Sequence, residues 1–393
     1  MSRTGGILVL NAGSSSLKYK LFRGDVVLLA GHITNIGKQG TSSIEKRGVA
    51  RTEQVTVQNH DDAVAYALRI VHSELDHAGI THVLHRVVHG GEHYVQHTVI
   101  DNAVERGIGE LSVLAPLHNP PALSGIRAAR AQLPHATHIA FFDTAFHHTI
   151  PRHAFMYGIP YTLYEKYGIR KYGFHGLSHE YLTGKAYEAT QSTSRIITCH
   201  LGAGSSLAAV HHGRCLDTTM GFTPLDGLLM ATRSGELDPD IPLFLIENAQ
   251  YTPQQISQLL NRESGLKGIA GTGDLREVKQ LADQGDTRAQ LAISMLCYRL
   301  AKSIGSMHVA VGGVHTLVFS GGVGEHAAWL RERVCALLAP LGILLDTNAN
   351  AAHRHVISQP SSRATVLVIP TDEELHMVKL FLGGRYVSHS KHE

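Results

Sequence analysis

Cysteine is scarce in this chain, and apolar runs are short. Cys199, Cys215, Cys297 and Cys335 lie far apart with no C-x-x-C pair, which argues for reduced thiols in a cytoplasmic protein over a disulfide framework. No stretch approaches the roughly 18 consecutive apolar residues of a membrane span. The first apolar run, Ile7 to Leu10, breaks at Asn-Ala-Gly-Ser and lacks the length of a signal peptide. Charge of one sign is missing too: Lys+Arg 35 against Asp+Glu 33 leaves +2. Without a basic run, neither nucleic acid nor a membrane surface is an expected partner. There is no G-x-x-x-x-G-K-[ST], and the G-x-G patterns at Gly271 and Gly322 lack the third glycine of a dinucleotide fingerprint.

What is present is length for two substantial cores, 393 residues with 43% hydrophobic, and a repeated turn. Leu10 to Lys18 reads L-N-A-G-S-S-S-L-K, and His200 to Leu207 reads H-L-G-A-G-S-S-L. Each follows an apolar run and leads into another strand-like run. Glycine and serine crowded into such a turn let backbone amides approach an anion closely. One copy alone reads as an ordinary tight hairpin. Two copies in matching contexts point to two domains presenting like loops to a shared cleft, with Lys18 adding positive charge.

Leu17 to Phe22 and Val26 to Ile33 read as strands, and Asp61 is positioned to cap a helix over Asp62 to Leu75. Val83 to Val88 reads as a buried strand, Pro120 and Pro121 open a second helix, and Thr137 to Phe142 forms the next strand. The order returns with strands at Ile196 to Leu201, Leu207 to His211 and Cys215 to Met220. Helices near Asp240 to Asn248 and Asp286 to Val311 follow, then strands at Thr316 to Phe319 and Val366 to Ile369. Both halves read as α/β layers, a sheet covered by helices. His153 to His179 gives no clean period and reads as a connection, while the polar tail after Gly383 is expected to fray.

Ligands gather beyond the carboxyl ends of strands in such sheets. There stand Asn11, Arg86 with His89, Asp143, the Gly202 to Ser206 turn, Gly321-Gly322-Val323-Gly324-Glu325 and Thr371-Asp372-Glu373-Glu374. Anion donors, metal-competent carboxylates and charged side chains together are the parts of phosphoryl transfer. His89-Gly90-Gly91-Glu92-His93 formally matches a zinc pattern, but adjacent glycines oppose the helix that pattern requires.

The chain resembles the acetokinase family. The matching runs are L-N-A-G-S-S-S-L-K from Leu10, H-R-V-V-H-G-G-E from His85, A-P-L-H-N-P from Ala115, F-D-T-A-F-H from Phe142 and Y-G-F-H-G from Tyr172. M-G-F-T-P-L-D-G from Met220, T-R-S-G-E-L-D-P from Thr232, G-G-V-G-E from Gly321 and I-P-T-D-E-E-L from Ile369 complete the set. They span nearly the whole chain in the family's order. The resemblance implies duplicated ribonuclease H-like domains with a central cleft, the fold of acetate and sugar kinases, heat-shock chaperone ATPases and actin. It implies an N-terminal domain over 1–150, completed by a C-terminal helix over 375–393, and a nucleotide-binding domain over 151–374.

The implied activity is transfer of the ATP γ-phosphoryl group to acetate. A propionate kinase and a nucleotide-dependent switch of the same fold are the alternatives. Position by position, the resemblance makes Asn11 and Glu373 holders of Mg²⁺ (or Mn²⁺). Lys18, His200, Leu201, Gly202, Ala203 and Gly204 become contacts to the ATP phosphates. Asp274, Leu275, Arg276 and Gly322, Val323, Gly324, Glu325, His326 match the nucleotide segments. Arg86 is implied as the ligand of the acceptor carboxylate, with Val88, Leu117, His118, Phe174 and Pro224 around the acceptor. Asp143, His175 and Arg233 are implied as catalytic, and a homodimer as the assembly. Three positions depart from the family pattern: Ala203 and His326 where asparagine is usual, and Ala122 where asparagine is common.

Overall fold

The computed structural model describes residues 5–73, 79–192 and 194–387. These form two compact α/β units: the described residues of Met1–Ala145 with Asp372–Glu393, and those of Phe146–Thr371.

The first unit carries strands β1 (Gly6–Gly13), β2 (Ser16–Arg23), β3 (Val26–Thr34), β4 (Gln39–Lys46), β5 (Val49–Thr56), β6 (Ile80–Val87), β7 (Thr98–Val99) and β8 (Thr137–Phe142). Their order in the sheet is β5-β4-β3-β2-β1-β6-β8-β7. β1, β2 and β3 form an antiparallel meander, and β6 and then β8 join parallel to β1. β1 is a continuous apolar run because it lies inside the sheet with helices packed over it, so that Ile7 to Leu10 are buried on both faces. On one face Leu8 and Leu10 pack with Val64, Ala67 and Leu68 of the helix His60–His72; Val87 and Phe142 join Leu123 and Ile126 of the helix Asn119–Gln132.

The cap of the His60 helix differs from expectation. Asn59, not Asp61, is the N-cap, its side chain accepting from Asp62 N, while the Asp62 carboxylate accepts from Gln58 N. Two side-chain bonds, to the amides of Asp62 and Gln58, satisfy more free donors than one aspartate inside the first turn. Leu75, the expected end of this helix, lies outside the described residues. The sequence also hid β4, β5 and the helix Asn102–Glu110. β5 is exposed along almost its whole length, so its side chains carry no period-2 apolar signal even though its backbone pairs fully with β4.

The second unit holds β9 (Ile196–Leu201), β10 (Ser205–His211), β11 (Arg214–Thr218), β12 (Thr316–Ser320) and β13 (Thr365–Val368), ordered β11-β10-β9-β12-β13. That order and the strand directions repeat β3-β2-β1-β6-β8 of the first unit, so the fold is a duplicated ribonuclease H-like α/β domain. Strand alternation sends Ile197, Cys199 and Leu201 to the long helix Thr287–Ala310. It turns Thr198 and His200 toward the helix Gly176–Thr190 on the other face.

The first turn of that helix and the short helices Arg152–Phe155 and Tyr161–Tyr167 fall in the stretch His153 to His179, where no clean period was expected. The buried positions of the Gly176–Thr190 helix include Ser178, His179 and Thr183 beside Leu177 and Leu182, so polarity does not separate its faces. The C-terminal helix also departs from 375–393. It runs Glu373–Leu382 with Asp372 as cap, and the chain turns at Gly383 and Gly384. The tail is held on the β7 edge as far as Val387, whose N–H donates to His97 O and whose O accepts from Val99 N.

Candidate active site

In the first unit the site is built around Arg86 near the end of β6. Asp143 directly follows β8, and its amide donates to Val87 O. Arg86 donates from Nε (3.0 Å to Oδ1) and Nη2 (2.8 Å to Oδ2) to Asp143, while Nη1 lies 2.7 Å from Glu373 Oε2. Asp143 is 1% exposed. One edge of the guanidinium is thus taken by Asp143, leaving N–H groups on the Nη1/Nη2 end. Burial opposes the charge on Arg86, yet Asp143 and Glu373 hold its pKa above the ordinary arginine value. Glu373 is pushed up to about 7, first by burial and then by the charges of Asp143 and Glu374, against the pull of Arg86.

Glu373 opens the C-terminal helix, which packs against β1, the strand that carries Asn11. Lys20 bridges Asp372 (3.1 Å) and Glu374 (3.2 Å) beside it. Carboxylates outnumber the cations paired with them here, and the donors are hard oxygens. Among the described residues no three His, Cys, Asp or Glu gather into a ready cage. A cation with few protein ligands that keeps water or phosphate oxygens fits this set, which is the habit of Mg²⁺.

Lys18 is exposed on β2 and Val88 is half-buried. Leu117 is 41% exposed, a large apolar side chain open to a ligand. His118 caps the Asn119 helix by position. Asn119 braces the turn after β6, its amide bonding both N and O of His89. His89-Gly90-Gly91 leaves the strand as a turn, with Gly91 at φ 61°, so these histidines do not share a helix face.

The second unit holds a cavity of about 600 Å³ lined by Leu201, Gly202, Ala203, Asp274, Leu275, Arg276, Gly322, Val323 and His326. All of these were singled out in the sequence. Its remaining walls, among them Leu228 to Ala231, Leu266, Leu296, Leu300 and Trp329, were not. Asp274 caps its helix and pairs with Arg276, whose hydrogen bonds bring the Asp274 carboxyl down to about 2. Gly324 and Glu325 do not line the cavity. Glu325 Oε1 instead accepts from Gly321 N (2.9 Å) and Thr371 N (3.2 Å), tying the glycine turn to the chain after β13.

His200 also turns away, its ring bonding Ser178 Oγ and stacking on His175 at 4.4 Å. His175 itself has left-handed backbone, φ 56°. Gly173, two residues before it, sits at φ 78°, where any Cβ would stand 2.6 Å from Thr218 and 2.7 Å from His147. Phe174 is buried, and its carbonyl accepts from the His147 ring.

Arg233 Nη1 donates to Pro224 O at 3.1 Å. Burial pulls its pKa below the ordinary arginine value, and among the described residues no carboxylate forms an ion pair with it. A Cβ on Gly204 would stand 3.5 Å from both Arg233 Nη1 and His175 Nε2. Two cationic or N–H donors therefore converge on the glycine turn.

Curated relatives extend the match over the whole chain. It is 45% identical over 388 residues to an acetate kinase of Carboxydothermus hydrogenoformans, covering 95% of this chain and 97% of that one. To an acetate kinase of Thermotoga maritima it is 43% identical over 390 residues, covering 95% and 97%. Among solved structures, Porphyromonas gingivalis acetate kinase superposes with a TM-score of 0.89 at 39% identity, covering 97% of this chain and 99% of that chain. A propionate kinase from Francisella tularensis gives 0.92 at 37% identity, covering 96% and 98%. The acetokinase family model matches residues 6–379, which includes the Arg86 cluster, the cavity and the His175–Arg233 turn. The chain belongs to the acetokinase family.

Proposed function

We propose that this protein transfers the γ-phosphoryl group of ATP reversibly to a carboxylate oxygen of acetate, giving acetyl phosphate and ADP. The observation that carries the reading is the convergence of Arg233 Nη1 and His175 Nε2 on Gly204, at the edge of an apolar cavity of about 600 Å³ suited to a nucleoside. A half-buried guanidinium with no carboxylate partner among the described residues is matched to an anion.

Acetate is already ionised at pH 7, so the reaction needs orientation and charge neutralisation more than a base. An acetate oxygen forms the bond to the γ-phosphorus as the bond to the bridging oxygen breaks, and that electron pair departs on ADP. Arg86, its other edge fixed by Asp143, presents its Nη1/Nη2 end to the acetate carboxylate. The family resemblance assigns Val88, Leu117, His118, Phe174 and Pro224 to the methyl group. The amides of Gly202, Ala203 and Gly204, with Lys18, hold phosphate oxygens. Glu373 and Asn11 would hold Mg²⁺, or Mn²⁺, which neutralises phosphate charge. His175 and Arg233 stabilise the transferring group.

A propionate acceptor is the second reading, supported by the likeness to the Francisella enzyme. One methylene in an apolar pocket discriminates by only about 1–3 kcal/mol, and Val88, where propionate enzymes of this family often carry something smaller, favours acetate. A switch without phosphoryl transfer leaves the Arg86–Asp143 pair and Arg233 without a task. A homodimer is supported by the helix Asp240–Ala249, which buries none of its residues and exposes Leu243 and Phe244. A cytoplasmic location is supported by four free, buried cysteines.

The test runs both directions: ADP release with acetate or propionate, and ATP formation from ADP with acetyl phosphate. The reading expects a higher kcat/KM for acetate and turnover in both directions. A higher kcat/KM for propionate transfers the assignment to the second reading.

A further inference from the structure

Beside the apolar cluster that Leu182 and Ala186 form with Ile196, Ala208 and Val210, one part of the layer between the second unit's sheet and the Gly176–Thr190 helix is polar. Ser206 Oγ lies 2.9 Å from His175 Nδ1 and 2.8 Å from His179 Nε2. His179 Nδ1 lies 2.7 Å from Thr198 Oγ1. Ser206, His179 and Thr198 are all 0% exposed. A buried hydroxyl between two imidazoles is retained only where its hydrogen bonds are all satisfied. Alanine at 206 and an aliphatic residue at 179 would pack a sheet–helix layer without that demand.

The chain ends on the one ring whose other nitrogen, Nε2, faces Gly204 beside Arg233. Burial, then the neighbouring His147 and His200, hold the His179 pKa well below the ordinary histidine value, so His179 carries a single ring proton. With that proton on Nε2, His179 donates to Ser206, and the Ser206 hydroxyl donates to His175 Nδ1. The proton of His175 then sits on Nε2, facing the turn. With the proton on Nδ1, donated to Thr198, the Ser206 hydroxyl turns to His179 and His175 must donate from Nδ1. Only the first order supplies an N–H to a phosphoryl oxygen from a neutral ring.

We propose that Ser206 and His179 are positioning residues, a relay ending at Thr198 that fixes His175 as its Nε2–H tautomer with that nitrogen aimed at the Gly204 turn. The proposal rests on the reading of His175 as a donor to the transferring phosphoryl group. Neither residue touches substrate; they act through the ring of His175. The backbone helps, since His179 N donates to His175 O at 2.9 Å and keeps the left-handed His175 on the first turn of the helix.

The test uses the full chain labelled with ¹⁵N-histidine, the His175 ring signals assigned by their loss in His175→Gln. The relay predicts Nε2–H in the wild type and a mixture of tautomers in Ser206→Ala; Nδ1–H or a doubly protonated ring in the wild type overturns it. In turnover, Ser206→Ala lowers kcat by about 10- to 100-fold, as removal of an orienting partner does, with KM for ATP little changed. Ser206→Thr, which keeps the hydroxyl, restores most of the rate. In a His175→Gln background Ser206→Ala costs nothing further; an equal loss in both backgrounds assigns Ser206 to packing alone and overturns the proposal. If His175→Gln retains the wild-type kcat, the reading of His175 fails, and the tautomer measurement still decides the relay independently.

Discussion

Arg86 and Asp143 meet edge to edge, Nε at 3.0 Å and Nη2 at 2.8 Å from the carboxylate, deep enough that Asp143 is 1% exposed. Removing one partner of such a pair strands the other charge. Arg86→Gln is therefore expected to cost about 3–5 kcal/mol of stability as well as the acceptor site, read as a lower urea midpoint. Asp143→Asn keeps a neutral acceptor for Arg86 and should lose more turnover than stability. A fully stable Arg86→Gln would show that the pair is not held out of water.

Among the described residues, Arg233 has only the Pro224 carbonyl as a hydrogen-bond acceptor. Arg233→Ala is expected to lower kcat by roughly 10³-fold or more, the range of a transition-state arginine. KM for ATP should change far less, because the cavity walls hold the nucleoside. Steady-state kinetics with saturating acetate checks this, and near-normal turnover removes Arg233 from the chemistry.

Gly204→Ala separates folding from function. The added methyl would meet Arg233 and His175 at 3.5 Å, an ordinary contact distance, so the melting temperature should stay near wild type. The same methyl occupies the space where both donors point. We expect kcat to fall by an order of magnitude or more, since misplacement of about 1 Å costs roughly 10²-fold. Unchanged kcat would place the transferring group elsewhere.

Buried histidines make stability pH-dependent. Burial lowers His89 to about 4, against about 6.5 in an unfolded chain. Between those values the unfolded state binds the proton and the folded state does not. This contribution is complete above pH 6.5 and is lost as pH falls toward 4, roughly 3 kcal/mol for His89. His85 and His179 are lowered by burial in the same direction. Urea midpoints from pH 7 to 4 should fall steeply, and His89→Asn, which keeps an acceptor for the Gly91 amide, should flatten the slope by one proton. A flat wild-type profile would contradict the burial of these rings.

What the sequence disclosed follows from where physics writes into it. Strands buried on both faces, such as Ile196 to Leu201, announce themselves as apolar runs, and the two glycine–serine turns announce themselves by repetition. β5 stayed hidden because backbone pairing leaves no mark on exposed side chains, and β4 because its buried positions are Gly40, Ser42 and Ile44, only one of them a large apolar residue. The site residues Arg86, Asp143 and Glu373 were named from motifs, but their meeting on one guanidinium needed the parallel register of β6 with β8 and a helix returning from the far end of the chain. The cavity walls Leu296, Leu300 and Trp329 were not singled out because an apolar cavity is lined by the same residue types as a core. Several histidines with no evident purpose in the sequence prove to be buried hydrogen-bonding groups, His85 with His138 and His179 with Thr198 among them.

The most direct test of carboxylate phosphorylation is to trap the product with hydroxylamine. Incubated with ATP, Mg²⁺ and acetate, the protein is expected to yield acetohydroxamate in step with ADP, and Arg233→Ala to yield almost none. ADP release without hydroxamate from acetate, propionate or butyrate would contradict the account.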